Sequence, residues 1–554
     1  MPVQIRVSVA DGGRGERRQV SYNLSELYER VADKVPERLA MVAAHRRLTY
    51  AELNERANRL AQHLREAGVN PGDHVGLQLQ NGVEYIEGML AAFKLRAIPI
   101  NINYRYVERE LEYLFQHADL VALIFHRQFG PRIAAVTPRI ATLRHLIEVA
   151  DDGPAAGVAG AIGYEDALRR AAPASTFGGR GSDDLYIAFT GGTTGLPKGV
   201  VWRHEDIFFA AMGGGDATRM EGPISTPEQI AERIPDMAMV HLITPPFMHV
   251  SAHWGAFQAL FGGGTVVVPK PGSFDAGAVV ALAARTHAHV LTLVGDAMVR
   301  PILEVIEGQP GVYDLSSLVV LASGGAILSA TTKSAIHRLL PNVMVIDGFG
   351  STETGITGSD VRFAGGVGGG ARFRMDESTA VLDDNLEPVK PGSGVMGRLA
   401  RKGHIPAGYY KDPVKSAATF VEKHGVRWVL PGDLAGVDAD GTVVLHGRGS
   451  LSINTGGEKV FAEEVEASLL AHAAVRDVLV VGLPDERWGQ RVAAVVQPRP
   501  GVALTLDDIQ HHCRALLAGY KVPRALVLVE RIQRFPSGKG DYTWAQERAL
   551  EAAR

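Results

Sequence analysis

Residues 190–200 read TGGTTGLPKGV, and they follow the apolar run LYIAF at 185–189. Four glycines, three threonines and a lysine fall within these eleven residues. Glycines let backbone N–H groups crowd around an anion because no Cβ blocks the approach. Threonine hydroxyls and a lysine add further donors and a positive charge. Directly after a strand that reads as buried, this combination predicts a polyphosphate cradle rather than a plain surface turn. A Walker A loop requires G-x-x-x-x-G-K-[ST]. Here Lys198 follows Pro197, and Gly199 stands where the magnesium-binding Ser or Thr belongs. The cradle therefore serves nucleotide chemistry of another kind.

Around this loop the chain alternates strand and helix. Thr49 to Glu52 spells a capping box that opens a helix with apolar positions Leu53, Ala57, Leu60 and Leu64. Gly68 is its expected stop, and PGD (71–73) turns the chain into the strand HVGLQL. A helix over 83–95 and the strand AIPI (97–100) follow. The rhythm continues through VALIFH, HLIEV, LYIAF, TVVVP, HVLTLV, SLVVLAS and NVMVIDGFG. This predicts parallel α/β architecture with sites at the carboxyl ends of strands. Residues 213–240 read as an insertion in which Thr226 caps a helix with Pro227 at its first position. The glycine-rich 361–374 contains G-x-G-x-x-A, but no helix pattern follows, so a dinucleotide fingerprint is not expected. Beyond it the texture turns to short strands and hairpins, with Asp440-Gly441 expected as a two-residue turn. From GRGSLSINTGGEKV (447–460) a smaller α+β unit is expected, with helices over 462–471 and 507–518 flanking VLVVGL and VAAVVQ. The expected division is 1–447 and 448–554.

Bulk properties exclude several function classes. A chain of 554 residues requires two to four domains at roughly 150 residues each. A net charge of −4 gives no electrostatic reason to expect nucleic acid or a general attraction to anionic membranes. The single cysteine, Cys513, rules out an internal disulfide and suits a reducing cytoplasm. MPVQIRVSVADGG has no charged segment leading into an apolar one, and no apolar run approaches eighteen residues. A cytoplasmic protein without secretory signal or transmembrane segment is the expectation, with a homodimer left open.

The phosphate loop has companions: DGFGSTETG at 347–355, PGDL at 431–434, GRG at 447–449 and PSGKG at 536–540. In this order the set resembles the adenylate-forming superfamily of acyl-CoA synthetases, luciferases and peptide-synthetase adenylation domains. The likeness runs from about Leu48 to Asp541. It implies a large ATP- and acyl-binding domain of parallel α/β subdomains with a small β-barrel-like part, followed by a mobile α+β domain. It also implies ATP, Mg²⁺ and coenzyme A as the groups bound, and a small-molecule carboxylic acid as substrate.

Residue by residue, the resemblance assigns Thr190, Gly191, Gly192, Thr193, Thr194, Gly195 and Lys198 to the β- and γ-phosphates. Asp347, Gly348, Phe349, Gly350, Ser351 and Thr352 would lie along the nucleotide, with Thr352 at the α-phosphate and Phe349 beside the adenine. Phenylalanine stands here where the family often carries tyrosine. Glu353 would ligate Mg²⁺, a hard cation that prefers carboxylate and phosphate oxygens. Asp433 and Arg448 would hold the ribose. Lys539 would bridge the α-phosphate and the substrate carboxylate as charge builds in the first transition state. Gly457, in INTGGEKVF, would admit pantetheine. At the hinge motif the family commonly has Asp or Lys where this chain has Ser450, which puts charge-based control of domain rotation in doubt.

His249, in TPPFMHVSAHWGAF, would gate the carboxylate site. The alternatives are a core histidine, or zinc held with His253 at i,i+4. The zincin motif needs Glu after the first His, and Val250 is there instead. Val250 also argues against an amino-acid substrate, because it cannot pair with an α-ammonium group. The triplet His511-His512-Cys513 reads as surface. Acyl walls are expected from 249–260, 292–299 and 323–330, with Gly324, Gly325 and Ala326 leaving room beside the adenylate. Mostly small or apolar, these segments favour a medium- to long-chain or sterol-derived acid. A fatty acyl-AMP ligase that loads a carrier protein, or a luciferase-like oxygenase, would share the same motifs.

Overall fold

Thr49 caps the helix Tyr50–Glu66: its Oγ1 accepts from the Glu52 amide, and Glu52 Oε2 accepts from the Thr49 amide. Gly68 follows with φ at +89°, as expected of a helix stop. This helix belongs to a computed structural model that describes residues 21–44, 46–153, 157–172, 176–190, 197–216, 221–325, 328, 330–362, 372–448, 452–533 and 541–553. Within those residues the strand–helix rhythm resolves into two eight-stranded sheets.

The first sheet runs in the order Gly408–Tyr409, Lys198–Arg203, Leu185–Thr190, Ile98–Asn101, His74–Gln78, Leu120–His126, His145–Val149, Ala161–Gly163. The second runs Gly355–Arg362, Met344–Ser351, Val320–Gly324, Val290–Leu293, Val240–Ile243, Thr265–Val268, Leu39–Ala43, Arg46–Thr49. Their centres are parallel and their antiparallel pairs lie toward the edges. The helix Val83–Leu95 is buried almost all round, which places it between layers. One apolar cluster joins it to Met41 and Val266 of one sheet and to Val75 and Ala188 of the other.

A seven-stranded antiparallel sheet stands where the barrel-like part is expected, formed by strands between Arg372 and Arg448. After it comes a smaller α+β unit. Its long strands Val475–Asp485 and Gly489–Pro498 pair antiparallel, and the helices Ala462–Leu470 and Leu506–Arg514 share their core. Among the described residues no helix is long and apolar enough to cross a membrane.

Four local expectations need correction. The turn at Asp440-Gly441 is a three-residue loop: Asp438 N donates to Thr442 O, Gly441 N donates to Asp438 O, and Gly441 takes φ of +82°. Thr226 does not cap its helix. That helix is only Gln229–Glu232, and Gln229 Oε1 instead accepts from the Ser225 amide. Residues 213–240 are not simply an insertion either, because Ile224 and Ile230 are buried in the main core. Finally, Cys513 is fully buried, on the apolar stripe that Ile509 begins, and His512 Nε2 lies 2.8 Å from the Ser468 carbonyl. A polar composition hid a helix whose one apolar edge is core.

Candidate active site

The loop 191–196 lies outside the described residues, but both its ends are placed. Thr190 and Lys198 face each other across the antiparallel strands Leu185–Thr190 and Lys198–Arg203. The short strand Gly408–Tyr409 pairs with the outer of these two. It thereby sets the Tyr409 ring 5.8 Å from the Lys198 ammonium. The Tyr409 hydroxyl donates to Glu353 Oε1 at 2.9 Å. Lysine, phenol and carboxylate thus meet beside the mouth of the glycine loop.

Glu353 owes its place to a braced turn. Trp202 Nε1 donates to Thr352 O at 3.0 Å, and the buried Arg401 donates to Thr354 O at 2.6 Å. Ser351 N donates to Thr354 Oγ1 within the turn. Upstream in the same motif, Asp347 is ion-paired with Lys333 at 2.7 Å, and Lys333 also reaches Asp360 at 3.0 Å. Asp347 therefore carries a structural partner of its own. Phe349 stacks on Phe373 with centroids 5.7 Å apart, against the core of the antiparallel sheet. Asp433, buried in that sheet, is the cross-strand partner of Arg448.

The expected acyl walls also adjoin. Parallel pairing sets Ser323 beside Asp347 and Gly324 beside Gly348. Ser323 Oγ accepts from the Gly295 amide, joining the segment 292–299 to the start of the segment 323–330. Gly325 has φ of +81°, and a Cβ built there meets nothing within 4 Å. Ala326 lies outside the described residues.

His249 immediately precedes the helix Val250–Phe261, and its Nε2 sits 3.1 Å from Glu458 Oε1. Arg105 Nη1 donates to the same oxygen at 3.0 Å. Burial alone would raise the Glu458 pKa; His249 and Arg105 overcome it and hold the carboxyl below its ordinary range. Glu458 directly follows Gly457, whose φ is +82° and whose added Cβ would stand 3.0 Å from Val294 Cγ1. The Gly456-Gly457 hairpin of the smaller unit is thus seated between His249 and Val294, in one of the expected acyl walls.

His253 does not join His249 on a metal. It is fully buried, Nδ1 donates to Phe247 O at 2.7 Å, and Nε2 accepts from the Tyr186 hydroxyl at 2.5 Å. Burial pushes its pKa down to about 4, so the ring is neutral near pH 7. Among the described residues no three His, Cys, Asp or Glu side chains gather as a metal cage.

Gly191, Gly192, Thr193, Thr194, Gly195, Lys539 and the hinge residue Ser450 fall outside the described residues, and Arg448 is placed by its backbone only. Sequence reasoning missed Tyr409, Glu458, Arg105 and the asparagines described below. Only Tyr409 carried a local signal, the tyrosine pair of GYYKDP at 408–413.

This arrangement has relatives. The chain is 46% identical over 538 residues to a 3-oxocholest-4-en-26-oate–CoA ligase of Rhodococcus rhodochrous, covering 95% of this chain and 96% of that one. It is 44% identical, at the same coverage, to a medium/long-chain-fatty-acid–CoA/3-oxocholest-4-en-26-oate–CoA ligase of Mycolicibacterium smegmatis. The fold matches the amide bond synthetase McbA of Marinactinospora thermotolerans with a TM-score of 0.75 at 23% identity, over 94% of this chain and 99% of that one. The model of the AMP-binding enzyme family matches residues 28–410, and that of the AMP-binding enzyme C-terminal domain matches 464–539. With more than half its length matched by the family model and 46% identity to a CoA ligase over 95% of the chain, the chain belongs to the AMP-binding enzyme family.

Proposed function

We propose that this chain is an AMP-forming acid–thiol ligase that converts a medium- to long-chain fatty acid or a sterol-derived carboxylic acid to its coenzyme A thioester. The carrying observation is the meeting of Lys198, Tyr409 and Glu353 beside the Thr190 loop, in a chain so similar to CoA ligases along its whole length. In the first step a carboxylate oxygen attacks the α-phosphorus of ATP, and the bond to pyrophosphate breaks. Lys198 and the Thr190–Gly195 loop take the charge of the departing β- and γ-phosphates. Lys539 is assigned to the charge that builds between carboxylate and α-phosphate, and Asp433 with Arg448 to the ribose.

The donor set fits Mg²⁺: one carboxylate oriented by a phenol, beside a phosphate site, matches a cation that takes one or two carboxylates plus substrate phosphates. When bound, Mg²⁺ would neutralise charge on the ATP phosphates; Glu353 would hold it, and Tyr409 would keep Glu353 turned toward it.

In the second step the thiol sulfur attacks the acyl carbonyl and AMP leaves. The position of Gly457 against Val294 supports an approach for the thiol along this hairpin, since only a residue without a side chain tolerates both the +82° φ and the 3.0 Å approach. The pairing of Glu458 with His249 fits a gate that has turned away from the carboxylate site. We assign the mobile unit to 448–554 and the reaction to the cytoplasm.

The test is pyrophosphate release over a panel of carboxylic acids, with and without coenzyme A. Release with C8–C18 fatty acids or 3-oxocholest-4-en-26-oate, and thioester with coenzyme A, is the expected result. Turnover only with a carrier protein, or oxygen uptake with light, would replace this reading by a ligase or oxygenase of another kind.

A further inference from the structure

The last residue of the strand Ile98–Asn101 stands between two parts of the site that the sequence treats as unrelated. Asn101 is 8% exposed. Its Nδ2 donates to Phe189 O and to Met248 O, both at 2.8 Å, and its Oδ1 accepts from Phe189 N at 2.7 Å. Phe189 immediately precedes Thr190 and the glycine loop; Met248 immediately precedes His249. One carboxamide therefore holds the chain a single residue upstream of each candidate binding element.

The local reason is in the sheet. The strand Ile98–Asn101 pairs in parallel with Leu185–Thr190 only through Ile100 and Ile187. One residue on, the Asn101 side chain supplies a donor and an acceptor to Phe189, as a peptide group would, and so continues the ladder past the last backbone pair. Its second N–H is then free to reach across to the turn 245–249. That turn is pinned by two further side chains. Asn81 donates to Pro245 O and accepts from Phe247 N, and His253 donates to Phe247 O.

We propose that Asn101 is a positioning residue that fixes the relative placement of the phosphate loop and the His249 turn, so that ATP and the acid are aligned together. A displacement of about 1 Å between reacting groups costs on the order of a hundredfold in rate. The inference rests on the adenylating activity proposed above. A folded wild-type chain that releases no pyrophosphate with any acid contradicts that activity. Defects confined to the variants concern Asn101 alone.

The experiment compares Asn101→Ala, Asn101→Asp and Asn81→Ala, each assayed well below its own Tm for pyrophosphate release and for binding of α,β-methylene-ATP without acid. Asn101→Ala is expected to lower kcat by about ten- to hundredfold and to weaken the ATP analogue several-fold. Asn81→Ala, which removes the clamp on Pro245 and Phe247 of the acid-side turn, should raise KM for the acid and leave the analogue's affinity within about twofold. Asn101→Asp adds a pH signature. Protonated, its carboxyl donates one O–H toward the two carbonyls; ionised, it faces both as an anion. Its activity relative to Asn101→Ala should therefore fall as pH rises. The inference is overturned if folded Asn101→Ala keeps wild-type kcat and analogue affinity, if it matches Asn81→Ala in touching the acid alone, or if the Asp-to-Ala activity ratio is flat with pH.

Discussion

Glu353 shows how much one side chain depends on residues far from it in sequence. Its carboxylate is turned by Tyr409, 56 residues away, whose own position comes from a two-residue strand. Glu353→Gln replaces a hard anionic oxygen with a neutral amide, and we expect half-saturating Mg²⁺ for pyrophosphate release to rise by at least an order of magnitude. Tyr409→Phe keeps the ring against Lys198 but removes the hydroxyl, and about a tenfold rise in half-saturating Mg²⁺ is expected from losing an orienting partner. A magnesium titration of both variants checks the pair. Unchanged half-saturation in Glu353→Gln would remove Glu353 from the cation site. At the same scale, the motifs around Thr190, Glu353 and His249 could be picked out because each is a run of adjacent residues. Tyr409, Glu458 and Asn101 could not, because each acts on partners 56 to 353 residues distant.

At the scale of elements, several patterns that close within a few residues were read correctly, although the turn at Asp440-Gly441 proved one residue longer than its dipeptide suggests. The capping box at Thr49, the stop at Gly68 and the helix Val83–Leu95 stand where local rules put them. Strands with continuous apolar runs were also legible, because parallel sheets bury both faces. The misses arose where tertiary packing decides: Cys513 on a polar-looking helix, and the short helix Gln229–Glu232 under a segment whose isoleucines are core. The expected acyl wall at 323–330 carries a prediction at this scale. At φ +81°, leucine at position 325 would strain the backbone whatever space surrounds it, whereas asparagine tolerates this region better. Gly325→Asn should therefore shift preference toward shorter acids while binding of α,β-methylene-ATP stays close to wild type. An unchanged chain-length profile would show that this strand end does not line the acyl site.

For the whole molecule, the smaller unit is held against the larger by a buried triad. Lys521 Nζ lies 2.7 Å from both Glu110 and Glu464, with Tyr106 and Tyr520 over it. Burial disfavours the ammonium, but Tyr106 and the two carboxylates outweigh it and hold Lys521 above the ordinary lysine range. Burial, reinforced by Glu110, lifts Glu464 from 4.5 to about 7 despite Lys521. Because the folded pKa is the higher one, this stabilisation is complete below about 4.5 and is lost as pH rises through about 7. Between pH 5.5 and 8, wild type should lose on the order of 2 kcal/mol, or ~1–2 °C in Tm for a chain of 554 residues, that Glu464→Gln does not. Parallel losses in melting scans of the two proteins would contradict the triad's titration. The proposed rotation of this unit gives a second expectation. Lys539→Ala should cut acyl-AMP formation by on the order of a hundredfold or more, yet leave thioester formation from synthetic acyl-AMP and coenzyme A near the wild-type rate. Equal losses in the two single-turnover assays would mean that Lys539 serves both steps or the fold. The ligase reaction itself is tested most directly with a carboxylic acid labelled with ¹⁸O in its carboxyl group. Attack of that carboxylate on the α-phosphorus, then thiol attack on the carbonyl, must leave one labelled oxygen in AMP. Label in AMP, with unlabelled pyrophosphate and one thioester per AMP, is the predicted result; label in inorganic phosphate, or ADP as the nucleotide product, would contradict it.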